Sequence, residues 1–469
     1  MKVSQIFWLA LGVFTFTLIG CQKQQDKLQY LQPLTQDTRF RVYFNQNRAE
    51  SANYIDTYRQ ITRPGDNLEK LIVDAISSAR SSVDVAVFQL NLPKIALALA
   101  ERQKAGVKVR VILDNTNNKS FSDLSQAEIQ ELSERERDSY NEYISLVDLN
   151  GDGEVNRQEI DARDALLILR NAGVPIIDDT ADGSKGSGLM HHKFVIIDRD
   201  ILLTGSANFT LSGIHGDFAR PETRGNANNL LKIENSGLAS IFTEEFNLMW
   251  GDGPKGKLDS KFGKDKPYRE PQQVTIEDTL IRVQFSPTSG TKPWSLSTNA
   301  LIGTTLQEAS NSINFALFVF SSQKLADILE EMSQDNVKIR GLIDRNFAFR
   351  YYSEALDMLG VALSNRCKFE SGNNPWQKPI KTVGISQLPQ GDKLHHKFAV
   401  VDAKTVIAGS HNWSDSANHD NDETLLTIES STVAAHFERE FERLYESADL
   451  GIPPYVRKKI KEQKKQCSQ

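Results

Sequence analysis

The sequence predicts an α/β protein made of two duplicated halves, and three observations predict it. Ser81-Ser82-Val83-Asp84-Val85-Ala86-Val87-Phe88 is echoed 230 positions later by Asn311-Ser312-Ile313-Asn314-Phe315-Ala316-Leu317-Phe318. Val107-Lys108-Val109-Arg110-Val111-Ile112-Leu113-Asp114 answers at the same offset to Val337-Lys338-Ile339-Arg340-Gly341-Leu342-Ile343-Asp344. A His-His-Lys-Phe run also occurs twice, at 191–194 and 395–398, each copy followed by Gly-Ser and an asparagine. The first two pairs are short β-branched apolar runs that read as buried strands. Helical patterns lie between them, Pro93 to Ala105 with proline in its first turn and Leu325 to Met332, so each half contains a strand-helix-strand unit with parallel strands.

The composition agrees with a folded chain. Of 469 residues, 39% are hydrophobic and 25% charged, which excludes collagen-like, low-complexity and polytopic membrane proteins. A net charge of -6 argues against general coating of nucleic acid, which would need a local basic patch. At the N-terminus, Lys2 precedes an uncharged apolar run from Ile6 to Ile19, fourteen residues against the about 20 that a spanning helix needs. Leu18-Ile19-Gly20-Cys21 resembles the lipobox of bacterial lipoproteins, which implies an exported chain anchored to a membrane by lipid on Cys21. The expected organisation is a signal peptide over 1–20, a polar tether over 21–38, a first half over 39–250, a linker over 251–278, a second half over 279–450 and a basic tail over 451–469. Cys367 and Cys467 are available to pair in an oxidising compartment, and the sequence leaves open whether they meet.

The repeated motif carries the chemistry. His191-His192-Lys193-Phe194-Val195-Ile196-Ile197-Asp198 is followed by Gly205-Ser206-Ala207-Asn208, and His395-His396-Lys397-Phe398-Ala399-Val400-Val401-Asp402 by Gly409-Ser410-His411-Asn412. Alternation along a strand puts His191 with Lys193, and His395 with Lys397, on one face, while Asp198 and Asp402 point the other way. Each half thus offers an imidazole, an ammonium and an amide. Two imidazoles can divide the roles of nucleophile and proton donor, and two lysines with two amides suit the charge that develops on phosphoryl oxygens.

These paired motifs resemble the HxKxxxxD signatures, each followed by GSxN, of the phospholipase D superfamily, over about residues 39–450. The resemblance implies two sandwich halves related by a pseudo-twofold axis. It implies His191 as nucleophile, His395 as general acid and base, and Lys193, Lys397, Asn208 and Asn412 with Ser206 and Ser410 around the phosphate. Asp198 and Asp402 belong to the motifs, and their opposite facing gives them a structural part. The family carries an acidic residue after each motif that orients a histidine; Glu423 stands there in the second half, and Asn228, an amide, at the matching place in the first. Asn208 to Asn226 spans 18 positions where Asn412 to Asn421 spans 9, so residues 212–225 are expected to form a flap beside the cleft.

The first half also holds about 26 extra residues within an insertion at about 115–171. There Asp148, Asn150, Asp152, Gly153, Glu154 and Glu159 follow the EF-hand loop, with helical patterns on either side, although dockerin-type loops begin alike. The expected cofactor is a structural Ca²⁺ bound weakly, in the range of about 10⁻⁴ to 10⁻³ M, with no metal needed by the two-histidine chemistry.

The function expected from the resemblance is hydrolysis of phospholipid head groups at a membrane by a monomer. The alternatives are an extracytoplasmic nuclease of the same superfamily, with Phe209, Trp376 or Trp413 stacking bases, and a calcium-binding adhesion module without catalysis.

Overall fold

In a computed structural model, residues 31–49, 52–184, 186 and 188–467 are described. The signal peptide, Cys21 and the first part of the tether lie outside them. The duplicated runs form the parallel strands. Ser82–Val87 pairs with Lys108–Leu113, and Ser312–Leu317 with Lys338–Ile343, in matching register, Ser82 opposite Lys108 and Ser312 opposite Lys338. Helices Pro93–Lys104 and Gln323–Gln334 make the crossovers.

The motif strands, Lys193–Ile197 and Lys397–Val401, lie antiparallel to Ser82–Val87 and Ser312–Leu317 and so occupy central places in a seven-stranded and a nine-stranded sheet. Each then turns back through left-handed residues, Asp198 and Arg199 or Asp402 and Ala403, into Ile201–Gly205 or Thr405–Gly409. Helices Ser236–Trp250 and Ser431–Tyr445 contribute to one core with faces of both sheets, including Phe194, Phe242 and Phe246 from the first half and Phe398, Phe437 and Phe441 from the second. The other sheet faces bury two further cores under the crossover helices. A continuous core between the halves fixes their relative placement, which a site shared between them requires.

Three segments carry more structure than their sequence announces. Gln272–Ile276, within the residues read as linker, is a strand paired with Thr279–Phe285, and Phe262 and Lys266 ahead of it are buried. Lys266 Nζ bridges Glu245 Oε1 at 2.5 Å and Asp422 Oδ1 at 2.6 Å, so charge pairing supplies what hydrophobic periodicity does not show. The basic tail forms helix Pro454–Cys467, with Val456 buried and Cys467 joined to Cys367 by a disulfide. Residues 212–225 are strapped down rather than loose. Arg59 donates from Nη1 to Asp217 O at 3.0 Å and from Nη2 to His215 O at 2.5 Å and Thr223 O at 3.0 Å.

The insertion is helical. Glu134–Val147 and Arg157–Arg163 flank the acidic loop, each opened by a capping box, Ser133 with Glu136 and Asn156 with Glu159.

Candidate active site

The two motif strands begin where the halves meet. Short parallel bridges join Met190 to Asp422 and Ala227 to Leu394, so each motif lies beside the segment that precedes the last large strand of the other half. Backbone bonds seal the contact: His191 N donates to Asp422 O at 3.0 Å, and His395 N to Ala227 O at 3.1 Å.

The side chains follow the same crossing. His191 Nδ1 lies 2.7 Å from Glu423 Oε2, and His395 Nδ1 lies 2.9 Å from Asn228 Oδ1. The residue that orients each histidine therefore comes from the opposite half. Sequence spacing places these residues after the motifs but cannot reveal which histidine each one serves.

The serines differ from expectation. Ser410 Oγ donates to Glu423 Oε2 at 2.7 Å and Ser206 Oγ to Asn228 Oδ1 at 2.8 Å, and both serines are fully buried. Each hydroxyl also accepts a backbone N–H, from Thr424 at 2.9 Å or Asn229 at 3.1 Å. Ser206 and Ser410 thus hold the orienting residues and are spent before a phosphate arrives.

Asp198 and Asp402 are taken up by backbone amides. Asp198 Oδ1 accepts from Ser81 N at 2.7 Å and Ser82 N at 2.9 Å, and Asp402 Oδ1 accepts from Asn311 N at 2.8 Å and Ser312 N at 2.7 Å. They tie the far ends of the motif strands to the starts of the neighbouring strands.

Lys193 and Lys397 are almost fully buried, and each Nζ donates to the carbonyl two residues back, His191 O or His395 O, at 2.7 Å. Their ammoniums stand over Phe88 and Phe318, at 5.5 and 4.8 Å from the ring centroids. The same rings meet His191 and His395 at 5.3 and 4.8 Å. Phe88 and Phe318 end the duplicated strand runs, so the repeat could have nominated them. Asn208 and Asn412 each bury a side-chain Oδ1 that finds no partner. His411, where the first half has Ala207, is buried and contacts Thr298 Oγ1 at 2.8 Å. On the reverse face, His192 meets Thr424 Oγ1 at 2.8 Å and His396 meets Glu440 Oε1 at 2.9 Å.

Burial dominates the electrostatics. It pulls His191 down to about 4, against the opposing field of Glu423. Burial would raise Glu423, but His191 and Lys193 hold it at about 2, an ionised carboxylate that can only accept. Lys193 falls to about 7 through burial, with Glu423 and Asp114 opposing. Lys397 and His395 fall well below their ordinary values, through burial first and Lys193 among the cations beside each. Glu423 acts on His191, Lys193 and Lys397, while His395 has only basic groups around it, and an anion entering among these four bases would restore their charge.

The insertion's loop is folded on its own amides. Asp148 accepts from Gly151 N at 2.6 Å and Gly153 N at 2.8 Å, Asn150 from Asp152 N at 2.8 Å, and Asp152 from Glu154 N at 2.9 Å. Glu159 accepts from Leu149 N at 3.0 Å, Asn150 N at 3.2 Å and Asn156 N at 3.0 Å. The oxygen donors suit a hard cation, but Glu159 faces the loop backbone, and among the described residues no three acidic, histidine or cysteine groups converge as metal ligands. Among the described residues, no helix is long and apolar enough to cross a membrane.

Comparison with known proteins matches this architecture. The model of the family described as "Cardiolipin synthase, PLD-like domain" matches residues 72–250 and 302–445. The mitochondrial cardiolipin hydrolase of Mus musculus is 29% identical over 195 residues, 39% of this chain and 78% of that protein. A phospholipase D of Rickettsia prowazekii is 26% identical over 184 residues, 39% of this chain and 62% of that protein. The crystal structure of phosphatidylserine synthase from Haemophilus influenzae shares the fold, with a TM-score of 0.50 at 11% identity, covering 86% of this chain and 91% of that one.

Proposed function

The chain belongs to the PLD-like domain family described for cardiolipin synthase, and on that footing we propose that it is a phosphoric diester hydrolase that removes phospholipid head groups through a phosphohistidine. One observation carries the reading: two buried histidine–lysine pairs, one from each half, meet where the halves join, His191 held by Glu423 and His395 by Asn228, each from the opposite half. The similarity to proteins named cardiolipin hydrolase and phospholipase D supports the lipid side of it.

In this reaction the phosphate oxygens lie between the ammoniums of Lys193 and Lys397 and the amides of Asn208 and Asn412. Charge-assisted hydrogen bonds there strengthen as the phosphoryl group becomes more negative. A neutral imidazole attacks phosphorus through Nε2, and the P–O bond to the head-group alcohol breaks. The second imidazole, as imidazolium, gives that alkoxide its proton. Water then attacks phosphorus, the P–N bond breaks, and the second imidazole takes up the proton.

The same reading assigns Ca²⁺ to Asp148, Asn150, Asp152, Glu154 and Glu159 as a stabilising ion remote from the reaction. It assigns Cys21 as the lipid anchor of an exported chain, which would hold the enzyme beside its substrate.

The test offers phosphatidylcholine vesicles and single-stranded DNA in parallel, with the His191→Ala, His395→Ala double variant as blank. Phosphatidic acid released by the wild type alone supports the reading. Nucleotides released from DNA without phosphatidic acid would replace it with a nuclease, and silence on both would favour a binding module.

A further inference from the structure

Helix Pro454–Cys467 has no part in the chemistry, and its two faces differ in kind. One face is fixed to the body. Val456 is buried and Ile460 packs against the core of the second half. Gln463 accepts at Oε1 from Ser364 N at 2.9 Å and donates from Nε2 to Ser364 O at 2.8 Å, and Cys467 closes the row through its disulfide to Cys367. Positions 456, 460, 463 and 467 make a single stripe along an α-helix.

The other face is cationic. The helix holds six basic residues and one acid, all of them exposed, in a chain whose net charge is -6. Lys458, Lys461 and Lys465 lie opposite the fixed stripe, with Arg457, Lys459 and Lys464 on its flanks. The acid, Glu462, stands 3.8 Å from Lys458 between two well-exposed side chains, a pair too weak to cancel the charge of the face. The turn bonded to the helix adds to it. Residues 365–368 close through backbone bonds at 2.8 and 3.0 Å, with Arg366 and Cys367 left-handed, and this leaves Arg366 and Lys368 exposed on either side of the disulfide. Two rings stand free at the ends of the surface, Tyr455 at 61% and Phe369 at 60% exposure. Tyr455 rests against Phe349, ring centroids 6.2 Å apart, and two residues earlier Phe347 meets Phe318, the ring that covers His395, at 4.7 Å.

We infer that this helix and the turn bonded to it form a docking surface for an anionic lipid bilayer. The stripe that an amphipathic helix would bury in lipid is already committed to the body, so the helix lies on the bilayer without inserting and its ammoniums meet lipid phosphates. Tyr455 and Phe369 reach the interface from the two ends, where a ring with one apolar and one wet side is stable. Nucleic acid suits the surface less well. A single strand is tracked by a charged groove with aromatic rings set along it, whereas here the charge lies on a convex helix and the rings stand at its ends. The inference goes beyond the phosphodiesterase reading and does not depend on it, since docking needs neither motif histidine.

The test uses residues 22–469, which contain every described element, so that neither the apolar N-terminal run nor a lipid on Cys21 contributes. His191→Ala is present throughout, so that turnover cannot alter the vesicles. The protein is expected to sediment with vesicles of phosphatidylcholine and about one third phosphatidylglycerol at about 50 mM salt, and to be released at about 500 mM, where screening acts within roughly 4 Å. Vesicles of phosphatidylcholine alone should bind it at least about tenfold less. Replacing Lys458, Lys461 and Lys465 together by Gln is expected to weaken partitioning onto the anionic vesicles by about 10- to 100-fold, each ammonium near such a surface contributing several-fold, with an unchanged thermal midpoint. Equal binding to neutral vesicles, or a triple variant that binds as well as its parent, would overturn the inference. Tighter binding to single-stranded DNA than to the anionic vesicles, lost in the triple variant, would also overturn it and assign the surface to nucleic acid. The lipid-composition and salt comparisons need no lysine substitution and decide alone if the triple variant does not fold. The phosphodiesterase reading stands or falls separately, on release of phosphatidic acid by the wild type.

Discussion

Glu423 of the second half accepts the Nδ1 hydrogen of His191 of the first half across 2.7 Å, a contact between residues 232 positions apart that makes the two halves one site. Its carboxylate is held at about 2, because His191 and Lys193 outweigh the effect of burial. Glu423→Gln keeps the shape and removes the charge. We expect kcat to fall by about 10²- to 10⁴-fold, the upper end being the loss when a carboxylate behind a catalytic histidine becomes an amide. The acid limb of the pH profile should move down, since Glu423 opposes the burial that already places His191 at about 4. Steady-state kinetics between pH 3 and 9 checks both.

The same contact shapes acid stability. Glu423 has a lower pKa in the folded state than in the unfolded one, so its contribution is present above about 4.5 and is lost as pH falls through about 2. His191 is likewise depressed, and its contribution fades from about 6.5 down through about 4.

Lys193→Met tests whether the site is built at the expense of stability. Burial lowers the lysine to about 7, so the unfolded chain binds more protons between about 7 and 10.5, and the cost of the buried ammonium is greatest below that window. The variant should be inactive. Its thermal midpoint should match or exceed wild type at pH 6, with the difference shrinking as pH rises toward 10.5. A clear loss of stability at pH 6 would mean that Lys193 is a packing residue.

Asp198→Ala separates motif from mechanism. Asp198 accepts hydrogen bonds from four donors, the amides of Arg80, Ser81 and Ser82 and the Ser81 hydroxyl, at the far end of its strand. Its loss is expected to cost about 1 to 3 kcal/mol of stability, with kcat changed no more than a few-fold. Urea unfolding and turnover of the same sample measure both.

Much of this was legible in the sequence. The parallel pairs, the twin motif strands and the insertion follow from β-branched runs, a fixed offset and the about 26 residues by which the first half exceeds the second. The crossed pairing of Glu423 with His191 and Asn228 with His395 was not, because it depends on how one half docks on the other, and local periodicity carries no record of docking. Ser206 and Ser410 were misread for a related reason: a hydroxyl near a phosphate site looks the same in sequence whether it faces the ligand or the residue behind it. The linker hid Lys266 because a buried ion pair has no hydrophobic signature.

The acidic loop yields its own outcome. Adding Ca²⁺ is expected to raise the thermal midpoint, with half-saturation at about 10⁻⁴ to 10⁻³ M, and to leave kcat unchanged. Asp148→Ala should abolish the shift. Binding requires Glu159 to leave the amides of Leu149 and Asn150, so circular dichroism or amide exchange over residues 148–159 should change with the ion. A midpoint insensitive to 10 mM Ca²⁺, roughly ten times the weakest affinity of this class, would remove the ion from the account.

The measurement that bears most directly on one shared site is the activity of His191→Ala and of His395→Ala, assayed separately on phosphatidylcholine vesicles. A single site assembled from both halves predicts that each variant falls below about 1% of wild type, as expected when one member of a catalytic unit is removed. Two independent sites would leave each variant with about half, and that result would contradict it.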